Sequence, residues 1–162
     1  MIYLFDWDNT LFDPSIYSVI KPKLLGYGKC EGDSGNYFSS IDKLDIYYKV
    51  LKKEALSKNY MFIGAKEKLK ELKDKGFIIG IVTNSYKKTI ELYLEIYNIK
   101  VDFVYGCDDA NATKEDDIYW QNLIEKHDLN PKDCLMMGDD YELDYLMPKK
   151  FGFNVKLYRK KT

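Results

Sequence analysis

The chain reads as an α/β protein, a Rossmann-like doubly wound parallel sheet carrying a small helical insert. Three observations point there. Short apolar runs rich in strand-forming residues recur at 2–5, 77–82, 101–105, 134–137 and 153–158. Stretches with apolar residues at helical spacing separate them. Three of the runs stop abruptly in polar residues, at Asp6, at Thr83 and at Gly138-Asp139. Strands alternating with helices form parallel sheets through right-handed crossovers. With the strand that ends at Asp6 in the centre, the expected strand order is 3-2-1-4-5. Ligands of such sheets bind beyond the carboxyl ends of the strands, here between the first and the fourth.

Each element has its own signal. Ile2, Tyr3, Leu4 and Phe5 are uninterrupted, as in a strand buried on both faces. Residues 14–60 differ in character and read as the insert, leaving 1–13 and 61–162 as the core. Pro14 suits a first helical turn, and Ile16, Tyr17 and Ile20 continue it. Gly26, Gly28, Gly32 and Gly35 mark a loop, after which Ser39 or Ser40 caps a helix carrying Ile41, Leu44, Tyr48, Leu51 and Ala55. A helix over 65–75 ends at Gly76. Tyr86, Ile90, Tyr93, Leu94 and Tyr97 make an apolar stripe on the next helix. Thr113 is placed to cap a helix over 114–126, with Glu115, Asp116 and Asp117 in its first turn. A helix over 143–150 ends near Gly152. The last strand alternates, Asn154 and Lys156 interrupting its apolar residues as at a sheet edge.

Composition narrows the class. At 162 residues the chain is long enough for one domain that buries about 70% of its unfolded surface. Cys30, Cys107 and Cys134 are odd in number and form no CxxC pair, so neither a disulfide framework nor a zinc site is indicated, and a reducing cytoplasm fits. Charges of 25 basic and 26 acidic residues give a net −1, which offers no field to draw in nucleic acid. Arg159 is the only arginine, so an anion has to be held by Lys or backbone N–H groups. No basic leader precedes the first strand, and no run reaches the roughly 18 apolar residues of a membrane span.

The chemistry gathers at the strand ends. The expected topology brings Asp6, Asp8 and Asp139 to one edge, where carboxylates repel unless a cation sits among them. Oxygen ligands alone favour a hard ion such as Mg²⁺, which commonly pairs one or two carboxylates with phosphate. Thr83, with the N–H groups of Asn84 and Ser85, suits an anion, and Lys114 offers further positive charge. Phosphate-monoester hydrolysis needs acceleration by up to ~10²¹-fold, of which one general acid supplies only about 10²–10⁴. A carboxylate nucleophile forming an aspartyl phosphate is a recognised way to the rest.

These residues resemble the motifs of the haloacid dehalogenase superfamily. Asp6-Trp7-Asp8-Asn9-Thr10-Leu11 is similar to its first motif and Ile81-Val82-Thr83-Asn84-Ser85 to its second. Lys114 falls where the third motif's lysine belongs, and Gly138-Asp139-Asp140-Tyr141-Glu142-Leu143-Asp144 is similar to the fourth. The resemblance implies a Mg²⁺-dependent phosphatase acting on a phosphorylated small molecule, with the insert as a small helical cap. Asp6 is then nucleophile and metal ligand. Asp8 is general acid and base, its backbone carbonyl touching the metal. Thr83, Asn84 and Lys114 bind phosphate, Asp139 ligates the metal and Asp144 supports the metal site from behind. An acid at Asp8 favours phosphate chemistry over dehalogenation.

Some positions depart from the pattern. The third motif usually carries a proline soon after its lysine, whereas Glu115 follows Lys114, so Lys87 and Lys88 are alternatives for that role. Asp140 stands where a small polar residue is usual and reads as solvated. His127 and Trp7 read as structural. Tyr17, Tyr27, Tyr37 and Phe38 are the insert's candidates for substrate contact. A phosphotransferase or mutase of the same fold, a receiver-like domain and a silent phosphate-binding module are the rival readings. A receiver's acidic pair precedes its phosphoacceptor strand, unlike the arrangement here.

Overall fold

β1 (Ile2–Phe5) lies at the centre of a five-stranded sheet in which every neighbour runs parallel to it. The computed structural model describes residues 1–24 and 41–158, with 41–44 described in their backbone only. The order is β3-β2-β1-β4-β5, as the sequence predicts, with β2 (Ile78–Val82), β3 (Phe103–Tyr105), β4 (Cys134–Gly138) and β5 (Asn154–Leu157). The register sets Phe5 beside Ile81 and Met137, so the chain leaves β1, β2 and β4 at one level of the edge. Asp6, Thr83 and Asp139 therefore emerge together.

Side chains alternate across the sheet. Phe5, Ile79, Ile81, Val104 and Met137 face one way. They meet α1 (Ser15–Leu24), α2 (Ile41–Ser57), α3 (Ala65–Asp74) and α4 (Lys87–Ile96). Leu4, Val82, Tyr105 and Met136 face the other way, toward Tyr119, Trp120 and Leu123 of α6 (Asp117–Lys126). Helices thus cover both faces, as a doubly wound sheet requires. β5 is an edge strand with Asn154 and Lys156 exposed.

The insert leaves and rejoins the core through paired passages. Asn9, at φ +61°, turns the chain back so that Leu11 and Phe12 N–H both donate to Trp7 C=O. Phe12 and Met61 then form an antiparallel bridge, with Asp13 N–H donating to Tyr60 C=O and Phe62 N–H to Leu11 C=O. α1 and α2 pack on each other and on α4. Ile16, Tyr17, Ile20, Tyr47, Leu51 and Ala55 join one apolar cluster with Trp7, Ile90 and Tyr93. Gly26 to Gly35, the Ser39/Ser40 cap, Tyr27, Tyr37, Phe38 and Cys30 lie outside the described residues.

Several local expectations need correction. Ile2 and Tyr3 are only half-buried, and full burial is reached at Leu4 and Phe5. The helix expected from 114 begins at Asp117 with Asp116 as its N-cap residue, so Thr113 caps nothing and only Asp117 lies in the first turn. Lys114 is drawn inward instead. The helix expected over 143–150 is a wide π-helical turn, Tyr141–Leu146, followed by the single turn α7 (Met147–Lys150). A four-residue helix, α5 (Cys107–Ala110), follows β3 unforeseen, being too short to show periodicity.

Candidate active site

Asp6 continues β1 into the crevice, its N–H held by Met137 C=O. Both its oxygens are occupied: Lys114 Nζ donates to Oδ1 at 2.7 Å and Thr10 Oγ1 to Oδ2 at 3.1 Å. Thr10 also reaches Asp139 Oδ1 at 3.3 Å, tying the first and fourth strand ends together. Lys114 Nζ donates in addition to Asp144 Oδ1 at 2.6 Å. Asp6, Asp139 and Asp144 each present an oxygen within 4.8 Å of the others.

Asp8 stands apart from that trio. Ser85 Oγ donates to its Oδ2 at 3.5 Å, and its Oδ1 is buried without a partner. Burial, then the neighbouring Asp6 charge, pushes the Asp8 carboxyl up to about 7. Burial likewise raises Asp6 to about 7, with Lys114 pulling against it. Asp139 is raised by burial and by Asp144. For Lys114, burial alone would lower the ammonium, but Asp144 and Asp6 outweigh it and hold it above the ordinary lysine value.

Each partner is placed from behind. Lys114 sits in the turn before α6, its N–H bound by Asn84 Oδ1 at 2.7 Å and its C=O by Trp120 Nε1 at 2.9 Å. Tyr119 Oη donates to Thr83 C=O at 2.6 Å. Asp144 reaches inward because residue 138 is glycine: a Cβ there would lie 2.3 Å from Asp144 Cγ. Asp140, exposed, caps the π turn by accepting from Glu142 and Leu143 N–H at 2.9 Å.

The sequence-predicted residues come together with some changes of part. Asp6, Asp139 and Lys114 meet, while Lys87 lies near Glu91 and Lys88 over the Tyr48 ring, so neither reaches the acids. Asp144 is in the carboxylate trio rather than behind it. Asn84 spends its side-chain oxygen on Lys114 N–H. Ser85 N–H is taken by Thr83 Oγ1 at 3.0 Å, so the expected nest is one donor smaller. Thr10 and Ser85 went unforeseen as hydroxyl partners of the two acids. Their signal was present, since both lie within the quoted motifs.

Residues 27–157 match the family described as haloacid dehalogenase-like hydrolase. The chain belongs to that family. Among curated relatives, phosphoglycolate phosphatase of Vibrio vulnificus is 34% identical over 96 residues, 58% of this chain and 42% of its own length. Pyrophosphatase PpaX of Bacillus cereus is 32% identical over 77 residues, 46% of this chain and 36% of its own. The matched part thus spans less than half of either relative. The Bacillus subtilis HAD-hydrolase YfnB, bound to magnesium, superposes with TM-score 0.69 at 15% identity, over 95% of this chain and 86% of its own. A HAD phosphatase of Thermococcus onnurineus gives TM-score 0.67 at 22% identity, over 95% and 84%. These two likenesses speak for the fold. Among the described residues no helix is long and apolar enough to cross a membrane.

Proposed function

We propose that the chain is a Mg²⁺-dependent phosphatase that hydrolyses a phosphate monoester through an aspartyl phosphate on Asp6. The observation that carries this reading is the division of labour among the carboxylates. Three converge within 4.8 Å with one lysine among them, and a fourth, Asp8, stands aside with a free oxygen. Four carboxylates, of which Asp6 and Asp144 are buried, against one ammonium leave excess negative charge, which a divalent cation offsets. The donors are all oxygen, and their spacing suits a small hard ion. Asp6, Asp139 and Asp144 would hold it through side chains and Asp8 through its backbone carbonyl. Bound there, Mg²⁺ would neutralise phosphoryl oxygens and let two anions approach.

The chain's own residues supply the rest. Asp6 attacks phosphorus while Thr83, the Asn84 N–H and Lys114 hold the phosphoryl oxygens. Asp8, its carboxyl raised by burial, gives its proton to the leaving oxygen and takes one back from the water that cleaves the aspartyl phosphate. Residues 14–60 serve as a small cap over the entrance, and the substrate is a phosphorylated small molecule. The relatives' names make phosphoglycolate and pyrophosphate the first compounds to try. A cytoplasmic setting suits such a substrate.

A panel of phosphorylated metabolites with p-nitrophenyl phosphate, assayed with Mg²⁺ and with chelator, tests the reading. Asp6→Asn is expected to abolish Mg²⁺-dependent phosphate release. Turnover surviving in that variant would remove Asp6 as nucleophile, and transfer to added alcohols in place of water would favour a phosphotransferase.

A further inference from the structure

Thr83 and Lys114, which the phosphatase reading assigns to the phosphoryl oxygens, stand on different parts of the chain. Thr83 follows β2, and Lys114 lies between α5 and α6, in neither helix. Each backbone is nevertheless pinned on both sides. Thr83 N–H donates to Tyr105 C=O at 3.0 Å, and Thr83 C=O accepts from Tyr119 Oη at 2.6 Å. Lys114 N–H donates to Asn84 Oδ1 at 2.7 Å, and Lys114 C=O accepts from Trp120 Nε1 at 2.9 Å. The two carbonyls are therefore held by consecutive residues of α6, each fully buried. The rings of Tyr119 and Trp120 meet edge to face, with centroids 5.5 Å apart, and are backed by Tyr105 at 4.9 Å and Phe153 at 5.9 Å. Apolar packing alone would be served by phenylalanine at both places. What tyrosine and tryptophan add is one O–H and one N–H, and each is aimed at the backbone of a phosphate-holding residue.

We infer that Tyr119 and Trp120 are positioning residues, which fix the separation of the Thr83 hydroxyl and the Lys114 ammonium and so set the rate at which phosphorus is attacked. This rests on the phosphatase reading above and adds two residues outside the quoted motifs. Adjacent anchors on one helix cannot drift apart, so the loop bearing Lys114 and the end of β2 are held as one body. Asn84 joins the same two pieces from the side of β2. Phosphoryl oxygens reach their final places only as the new bond forms, so an error in that separation costs more in the transition state than in the bound substrate. Loss of either hydrogen bond also leaves a buried carbonyl without its donor, which favours a shift of the local backbone.

The experiment compares variants of the full chain with Mg²⁺ and p-nitrophenyl phosphate, or the fastest compound of the metabolite panel. It also measures inhibition by orthovanadate, which copies the trigonal-bipyramidal geometry of phosphorus under attack, and by inorganic phosphate, which does not. Trp120→Phe and Tyr119→Phe remove the donors and keep a ring. Each is expected to lower kcat about 10–100-fold with KM nearly unchanged, and to weaken orthovanadate by a similar factor while phosphate inhibition holds. Phe153→Leu loosens the same apolar cluster and removes no polar atom, and is expected to keep kcat and orthovanadate affinity at the wild-type level. Tyr119→Phe, which loses a single oxygen, is the reporter should Trp120→Phe fail to fold. Three results overturn the positioning role and leave the phosphatase reading standing: wild-type kcat in the phenylalanine variants that fold, a lower kcat with wild-type orthovanadate affinity, or equal weakening in Phe153→Leu. A wild-type chain that releases no phosphate from p-nitrophenyl phosphate or the panel overturns both.

Discussion

The floor of the crevice and the inserted segment are held by opposite means. The floor is charge: Asp6, Asp139 and Asp144 around Lys114, fixed by strand ends that register aligns. The insert is held by apolar packing and tyrosine hydroxyls. Tyr17 meets Tyr93, Tyr48 meets Thr89, and Tyr97 accepts from Tyr60 N–H while reaching the carbonyls of Ala55 and Lys58. Neutral hydrogen bonds around an apolar cluster cost little to bury, whereas clustered carboxylates cost much until a cation arrives. The contrast teaches that the insert contributes stability without a cation, and that the strand-end site, on the proposed reading, gains its stability when a cation binds.

Lys114→Met should break this contrast most severely, because it strips the one ammonium that Asp6 and Asp144 share among the described residues. Loss of phosphatase activity by at least about 10³-fold and destabilisation of roughly 3–5 kcal/mol in metal-free urea unfolding are expected. A metal-free stability equal to wild type would show the floor is not held by that charge. Gly138→Ala comes next. Its Cβ would meet Asp144 at 2.3 Å, where Asp144 is already pinned by Lys114, so Mg²⁺ affinity should fall about 10–100-fold by calorimetry.

The same contrast has a pH signature. The Asp6 and Asp8 carboxyls stand at about 7 in the metal-free fold against 3.8 ordinarily. Between those values the folded chain binds more protons than the unfolded one, so metal-free stability falls as pH rises through that window. On the proposed reading Mg²⁺ would take the deprotonated forms. The melting-temperature gain on adding Mg²⁺ should therefore grow from pH 5 to about 7 and level off above, and a gain independent of pH would count against it. The smallest effect belongs to the insert. Tyr97→Phe should cost about 1–2 kcal/mol in urea unfolding, equally with and without Mg²⁺, and a Mg²⁺-dependent cost would join the two regions energetically.

Much of this was legible in the sequence, and what was not shares a cause. Alternating strands and helices, together with polar breaks at Asp6, Thr83 and Asp139, were enough for strand order and the place of the site. Local patterns mislead where long-range charge takes over. Thr113 looks like a cap, yet attraction of Lys114 to Asp6 and Asp144 pulls the preceding turn inward and delays α6 to Asp117. Leu143 to Lys150 has helical spacing, yet Asp144 must lie against Gly138, and a wider turn brings it there. The hydroxyl contacts between insert and α4 join residues tens of positions apart. Periodicity marks Tyr93 and Tyr97 as apolar and says nothing of their oxygens.

The paired passages at 11–13 and 60–62 give the fold a doorway. Because the chain departs and re-enters side by side, a longer or shorter excursion can be spliced there while the sheet is undisturbed. The excursion present here nevertheless rests on Ile90 and Tyr93 of α4 and on Tyr97 at its C-terminal end, which belong to the host. Exchanging this segment between such proteins is thus a two-piece transplant, in which the α4 face travels with the segment it supports.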